Sequence, residues 1–494
     1  MVGRTFPVLA LFLSLIVPTS AISSDDSTAE PTSAAEVEVI KERIESLEEV
    51  IAELKKELGD DEPSKKDEPE RLSDEFMEKI EKRIDEFEKK IPPKPDTFNK
   101  ANIKLQGRVH IDFVNFPTAT SGIGSFENPS TGDQPQSRFL FRRLRLGAKG
   151  NIFQNLKFKT IIEFADPSSI AMKDAYLEMN HLPIVEDVLV GNFKRPLGME
   201  AINSSNNNVF MERSLPIQAF NEDERRFGLI SYIETDDERA TMAHGFFTTK
   251  NIANDGNYTG SFGNLSFNNR YTYLPWWDES SDGRGFLHLG IANMVASNDP
   301  DFGSSDPNNQ ARFSSRPELR SVSRWVDTGR IADTTLWDTM GLEMMLNAGS
   351  LSVVSEFLPT WVVRPGQENL FFPGWYTMVA YILTGETREY QRFKGAIGGI
   401  SPHEPFFLAK TCDGPKMGIG AWEAAVRYSY VDLSDADIEG GVQSDVTAAL
   451  NWYLNSWSRV QMNYVIGDIK QHAPVNGFTS GSFTGFGVRF MAYY

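Results

Sequence analysis

The stretch IKLQGRVHIDF, residues 103–113, alternates apolar and polar side chains almost without interruption. Successive side chains of a β-strand point to opposite faces, so this alternation predicts a strand with one apolar and one polar face. The apolar face carries Ile103, Leu105, Val109, Ile111 and Phe113, and the polar face carries Lys104, Gln106, Arg108, His110 and Asp112. Such a strand separates an apolar environment from a polar one.

The same period of two recurs at residues 156–164, 422–430 and 459–466. A soluble β-sandwich shows the same alternation, so alternation alone does not identify a membrane barrel. Aromatic pairs near strand ends, such as Trp276-Trp277 and Phe371-Phe372, favour the barrel because aromatic girdles mark its two membrane interfaces. Long Gly- and Asn-rich connections next to short ones agree with this interpretation.

The chain stops inside a predicted strand, whose apolar face holds Phe486, Val488, Phe490, Ala492 and Tyr494. A terminal strand of this kind can pair with the first strand and leave no backbone edge in lipid. Roughly sixteen or seventeen strand-like stretches follow Lys100, and bacterial barrels have even strand numbers, which favours sixteen. We therefore predict an all-β transmembrane barrel of sixteen antiparallel strands over residues 100–494, wide enough for an aqueous channel.

The first 99 residues follow a different pattern. An apolar run of about 12 residues, too short to span a bilayer, precedes small residues and predicts a signal peptide over residues 1–21. Residues 22–99 then place apolar side chains three and four apart, beginning at Val37 and Ile40. This spacing predicts an acidic α-helical coiled-coil segment with a linker, and a solvated helix without a partner is the alternative.

The net charge of −19 is unevenly distributed along the chain. Residues 22–99 hold 25 acidic and 13 basic side chains, which leaves residues 100–494 with a net charge of only −8. An acidic chain argues against a nucleic-acid partner. The single cysteine, Cys412, and six scattered histidines match no metal-ligand or catalytic motif, so we expect no metal, no cofactor and no enzymatic activity.

Several short motifs follow the first strand in a fixed order. They read RFLFRRLRLG (138–147), KDAY (173–176), VGNFKRPLG (190–198), FMERSLP (210–216), RPELR (316–320) and GAWEAAVRY (420–428). These motifs resemble the phosphate-selective porin O and P family from residue 103 to the end. The resemblance implies a trimeric outer-membrane porin of sixteen strands, whose basic pore passes anions such as phosphate or polyphosphate.

The resemblance also implies which residues bind the anion. Arginines on the first two strands and an aspartate on a neighbouring strand correspond to Arg108, Arg142, Arg143 and Asp174, and an entrance ladder corresponds to Arg316 and Arg320. Arginine stays charged, and its planar donors match phosphate oxygens. Strand parity favours a luminal Arg108, whereas the adjacent Arg142 and Arg143 both reach the pore only at a bulge or where the chain leaves the sheet. For each arginine the alternative is an ion pair with a wall carboxylate.

The expected surroundings follow from the same resemblance. Outer-membrane lipid would surround a homotrimer, and residues 22–99 would lie in the periplasm with contact to the cell wall. The family's lysine-rich periplasmic funnel has no clear counterpart, since residues 362–373 offer only Arg364. Two alternatives therefore stay open: a general small-solute porin, and a structural barrel whose helical segment tethers the envelope.

Overall fold

The computed structural model describes residues 101–494 except 154, 183–184, 222–223, 250–264, 298–310, 408, 412–413 and 417. The predicted signal peptide (1–21) and the predicted helical segment (22–99) lie outside the described residues. Within the described part of the chain, no helix is long and apolar enough to cross a membrane.

Sixteen antiparallel strands form one closed sheet. They are β1 (Asn102–Ala119), β2 (Arg138–Phe153), β3 (Leu156–Glu163), β4 (Ala171–Asn180), β5 (Asp187–Lys194), β6 (Arg225–Glu234), β7 (Ala240–Thr248), β8 (Leu265–Trp277), β9 (Gly285–Ser297), β10 (Leu336–Ala348), β11 (Leu351–Phe357 with Thr360–Val363), β12 (Leu370–Phe372 with Gly374–Ile382), β13 (Ala421–Asp435), β14 (Ile438–Asn455), β15 (Ser458–His472) and β16 (Gly481–Tyr493). Strands β11 and β12 are each interrupted at a proline, Pro359 and Pro373, which has no N–H to donate to the sheet.

The last strand closes the barrel against the first. Arg108 pairs with Tyr493 and Asn115 pairs with Phe486, and the Tyr494 N–H donates to the Gly107 carbonyl at 3.1 Å. β1 and β16 therefore have no unpaired edge facing each other. Their backbone N–H and C=O groups form hydrogen bonds across this seam, which lipid could not provide. The prediction of a sixteen-stranded all-β barrel is confirmed.

The connections between strands differ in length at the two ends of the barrel. Those at one end, the short-turn end, are brief: 154–155, 181–186, 235–239, 278–284, 349–350 and 456–457. The strand ends that are joined by long connections, including those of β1 and β2, β5 and β6, and β9 and β10, lie at the other end, the long-loop end. The long connection 383–420 is an exception at the short-turn end.

The two faces of the wall have the chemistry that the alternation predicts. On β13, Val426 and Tyr428 are exposed outward, whereas Glu423 and Arg427 are fully buried inside. The aromatic pairs behave differently from the sequence-based interpretation. Trp276 is 44% exposed on the outside, but its neighbour Trp277 is buried inside the barrel. Only one ring of such a pair can join an outer girdle, because adjacent strand residues point to opposite faces.

Short elements lie on the connections. They are the helices α1 (Ser121–Glu127), α2 (Met199–Ile202) and α3 (Leu215–Phe220), the 3-10 turns Glu279–Ser281 and Arg392–Lys394, and the two-stranded pairs Ser314–Ser315 with Val326–Asp327, Tyr390–Gln391 with Ala396–Ile397, and Ala409–Thr411 with Gly414–Lys416. Most of these elements belong to segments that fold into the barrel.

Three segments fill much of the interior. The first inward segment (195–221, with α2 and α3) and the second inward segment (311–335) enter from the long-loop end, and the short-turn segment (388–397) enters from the opposite end. Their apolar side chains form a core with the inner wall that includes Met199, Phe210, Met211, Leu215, Ile217, Phe220, Leu319, Trp325 and Ile397.

Buried arginines of the wall hold the first inward segment by its backbone. The guanidinium of Arg427 donates to the Glu212 carbonyl at 2.9 Å, that of Arg459 donates to the Asn208 carbonyl at 2.6 Å, and that of Arg489 donates to the Met211 carbonyl. We call Arg427, Arg459 and Arg489 the arginine clamp. Because these charges are buried, losing their partners would be costly, and the clamp fixes where the segment lies in the lumen.

Candidate functional site

A cavity of about 720 Å³ remains between the inward segments and the wall formed by β1–β8. Its lining holds fifteen lysine or arginine side chains and only five acidic ones. The acidic ones are Asp174, Glu178, Asp187, Glu212 and Glu224. The lining therefore has a formal excess of positive charge although the chain as a whole is acidic.

All six residues predicted from the sequence border this cavity: Arg108, Arg142, Arg143, Asp174, Arg316 and Arg320. Their predicted role in anion binding stays a prediction. The sequence analysis missed further basic residues of the lining: Arg145, Lys149, Lys159, Lys173, Lys194, Arg213, Arg225, Arg270, Arg324 and Lys394. Strand parity could have identified Arg145 and Lys149, since both share the luminal face with Arg143.

Two β-bulges bring adjacent polar residues into the same cavity. His110 pairs with Arg143 and Ile111 pairs with Phe141, which leaves Arg142 as an extra residue in β2. The same irregularity between β3 and β4 leaves Lys173 as the extra residue beside Asp174. A bulge redirects a side chain, and it explains why Arg142 and Arg143 both reach the lumen.

Arg142 forms a two-pronged ion pair with Glu212 of the first inward segment. Its Nε donates to Oε1 at 2.6 Å and its Nη2 donates to Oε2 at 2.7 Å. Glu212 also accepts from Arg489 at 2.8 Å. Burial disfavours the charged carboxylate, but Arg142 and then Arg489 hold the pKa of Glu212 well below its usual range. The charge of Arg142 is thus largely compensated beside the cavity.

Arg108 and Arg143 have different surroundings. The Arg108 Nη1 donates to the Ser205 hydroxyl at 2.9 Å, and the Arg143 Nη1 lies 3.3 Å from the His110 Nδ1. The buried Nε of Arg143 has no hydrogen-bond partner among the described residues. Within the part of the chain that the structure describes, neither arginine forms a salt bridge with a carboxylate. Both guanidinium groups thus lack the direct carboxylate partner that Arg142 has in Glu212.

Asp174 lies on β4 and contacts other basic residues than the predicted arginines. It accepts from Arg225 and, at 2.9 Å, from the Lys159 ammonium. Glu224 binds Arg225 at 2.5 Å as well. Within the described part of the chain, Asp174 therefore pairs with Arg225 and Lys159 and not with Arg108, Arg142 or Arg143.

The second inward segment brings Arg316, Arg320 and Arg324 to the cavity from the long-loop end. Their spacing of four residues places three guanidinium groups along one segment. Arg312, just before them, instead pairs with Asp327 at 2.9 Å and does not line the cavity.

The short-turn segment borders the cavity at the other end. Arg270 of β8 pairs with Glu343 at 2.6 Å and donates to the carbonyls of Lys394 at 2.8 Å and Gly395 at 2.7 Å. These bonds hold Lys394 at the cavity. Residues 362–373, where the sequence offers only Arg364 as a counterpart of the family's lysine-rich funnel, lie at the opposite end of the barrel, where β11 and β12 are joined at the long-loop end.

Among the described residues, no group of three or more His, Cys, Asp or Glu side chains could hold a metal ion. The charged side chains that line the cavity are mostly cationic, and cationic N–H donors can bind an anion by charge-assisted hydrogen bonds.

Known proteins resemble this chain at several levels. A family model described as phosphate-selective porin O and P matches residues 103–494. An uncharacterized protein of Caulobacter vibrioides is 27% identical over 387 residues, which are 77% of this chain and 71% of that protein. Porin O of Pseudomonas aeruginosa is 26% identical over 222 residues, covering 43% of this chain and 45% of that porin.

Among solved structures, the outer membrane channel DcaP of Acinetobacter baumannii aligns with a TM-score of 0.46 at 11% identity, over 80% of this chain and 97% of that chain. OmpT of Vibrio cholerae aligns with a TM-score of 0.46 at 9% identity, over 80% of this chain and 99% of that chain. With the family match spanning the whole barrel, the chain belongs to the phosphate-selective porin O and P family and is an outer-membrane porin.

Proposed function

We propose that the barrel is a passive channel for anions, with phosphate or polyphosphate as its solutes. The observation that carries this proposal is the threefold excess of basic over acidic side chains around the cavity, in a chain whose net charge is −19. A lining of this sign raises the local concentration of anions and repels cations. This difference between anions and cations is sufficient for anion-selective passage, provided that each site binds the anion weakly enough to release it.

The path that we propose runs through the cavity from the long-loop end. Outer-membrane barrels carry longer loops outside and short turns in the periplasm. An anion would meet Arg316 and Arg320 first, then Arg108 and Arg143, and would leave past Lys394. Each step offers at least one cation, so the solute can pass between neighbouring sites.

The ion pairs around the cavity support weak binding. Glu212 compensates Arg142, Glu163 compensates Arg145 at 2.6 Å, and Asp174 compensates Arg225. Each carboxylate makes the attraction for an anion shallower. The same pairs favour a second candidate, a general small-solute porin with little preference for phosphate.

The proposal includes the assembly and the placement that the family likeness implies. Three copies would form a homotrimer surrounded by outer-membrane lipid, and residues 22–99 would lie in the periplasm. Mass measurement of the detergent-solubilised full chain tests this part, since a monomeric mass would contradict the trimer while leaving the channel unaffected.

Block of chloride current by phosphate in planar bilayers tests the pathway. Replacing both Arg108 and Arg143 by Met should weaken the block about thirtyfold, since each lost charge removes about 1 kcal/mol of attraction in a hydrated pore. Arg312→Met is the matched control, because Arg312 is paired with Asp327 outside the cavity. Unchanged block in the double variant, or equal loss in the control, would contradict the pathway.

A further inference from the structure

Three aromatic side chains line the same cavity as the basic residues. They are Tyr176 of β4, Tyr232 of β6 and Phe393 of the short-turn segment, and we call them the aromatic strip. All three are partly exposed, so they are not simply the inner side of a packed core.

The rings of the strip are supported from behind and from the side. Tyr176 packs edge-on against Phe193 with ring centres 5.7 Å apart, and Phe193 packs in turn against Phe247 at 5.3 Å. The rings of Tyr232 and Phe393 lie 5.9 Å apart. Tyr176 is therefore supported by a packed aromatic cluster, and Tyr232 and Phe393 support each other.

The phenol hydroxyls of the strip are available to a solute. Neither the Tyr176 nor the Tyr232 hydroxyl forms a hydrogen bond within the described part of the chain, and neither is among its buried unpaired polar atoms. Buried tyrosine hydroxyls usually find a partner. These two can instead donate to water or to a polar group in the cavity.

Cations lie beside the rings. The Lys159 ammonium lies 6.0 Å from the centre of the Tyr176 ring, and Lys394 follows Phe393 directly and lines the cavity. Phosphate or carboxylate oxygens bound by these ammonium groups would place an attached apolar body next to the strip. One small molecule could therefore contact an ammonium group and a ring of the strip at the same time.

The position of Phe393 is fixed by the chain on both sides. Arg270 holds the carbonyls of Lys394 and Gly395, and Arg392 donates to the Asp237 carbonyl at 2.7 Å and to the Glu238 carbonyl at 3.0 Å. A ring that is already held in place loses little freedom on binding. The strip is thus preorganised rather than formed by the solute.

We propose that the aromatic strip is a binding site for organic anions that carry a planar apolar body, such as aryl phosphates. The body would pack against Tyr232 and Phe393, and Lys159 and Lys394 would bind the charged group. This inference rests on the proposed anion channel and names a class of solute for the same cavity.

Two blockers that differ only in the apolar body test the site. Phenyl phosphate and methyl phosphate share one charged group, and each is added to wild-type channels carrying chloride current. Phenyl phosphate should block at about tenfold lower concentration, which corresponds to one well-packed aromatic contact. In Tyr232→Ala and Phe393→Ala this preference should fall to about twofold or less.

Phe246→Ala is the control, since its ring faces outward on the neighbouring strand β7 and is 55% exposed. It should keep the full preference for phenyl phosphate. The variants Tyr232→Leu and Phe393→Leu keep the apolar volume if the alanine variants fold poorly, and they should lose most of the preference as well.

The outcomes separate this site from the channel itself. Equal block by both phosphates in wild-type channels that remain anion-selective would overturn the aromatic site alone. A preference that survives in both leucine variants would overturn it too. Cation-selective wild-type channels would instead remove the proposed function on which the site rests.

Discussion

In the proposed channel, Glu212 determines how strongly Arg142 attracts a passing anion. The two side chains are joined by hydrogen bonds of 2.6 and 2.7 Å next to the cavity. Removing the carboxylate charge with Glu212→Gln should make the cavity more attractive to phosphate, and removing the arginine with Arg142→Met should make it less attractive. The double variant, which removes both charges, should resemble the wild type.

The magnitude follows from Coulomb's law. A unit charge about 7 Å from the anion, at an effective dielectric constant of about 40, contributes about 1.2 kcal/mol, and salt reduces this to about 1 kcal/mol. The phosphate concentration that halves the chloride current should therefore change about fivefold, downward in Glu212→Gln and upward in Arg142→Met. In the double variant it should stay within about twofold of the wild type.

The assay is phosphate block of single-channel chloride current at constant ionic strength. Glu212 also contacts Arg489, so folding of each variant is checked first. An unheated sample of each variant should migrate on a gel at the position of the folded wild-type barrel. Block in the double variant as weak as in Arg142→Met would refute the compensation argument. Arg142 would then act through direct hydrogen bonds to the anion.

Three further predictions concern the segments around the cavity. Arg489→Met leaves the buried Asp112 without its partner and removes one of the three clamp arginines from the first inward segment, so the unfolding free energy should fall by about 3–5 kcal/mol, measured by denaturant unfolding in detergent. Glu127→Ala removes the carboxylate that accepts from the Trp325 Nε1 at 2.9 Å, so the second inward segment should loosen and open-channel current noise should rise while selectivity is unchanged. Deleting residues 22–99 should leave conductance and selectivity unchanged, because the predicted helical segment is no part of the barrel wall.

Most of the wall could be predicted from the sequence, because a strand with one face in lipid must repeat the same local alternation. His110 and Asp112 are fully buried and Leu105 is exposed, as the opening stretch requires. Closure by the terminal strand followed from the same pattern. The interior could not be predicted, since Arg427 and the Glu212 carbonyl that it holds are 215 residues apart in the chain.

The candidate site was predicted in part. Strand parity favoured a luminal Arg108, as the structure has it, but left Arg142 and Arg143 ambiguous; both reach the cavity because of a bulge that the structure contains. No local pattern indicates that Glu212 would face Arg142, or that Lys394 would reach the cavity from a connection at the short-turn end. Such residues are placed by the folding of long connections, which leave no periodic signal.

The sign of the reversal potential across a salt gradient tests the central claim most directly. Wild-type channels in a planar bilayer separate concentrated from dilute potassium chloride, and the voltage at zero current is read. Because the cavity is basic, we predict a reversal potential with the sign expected for a chloride-selective channel, despite the acidic composition of the chain. A potential of the sign set by potassium would contradict the claim.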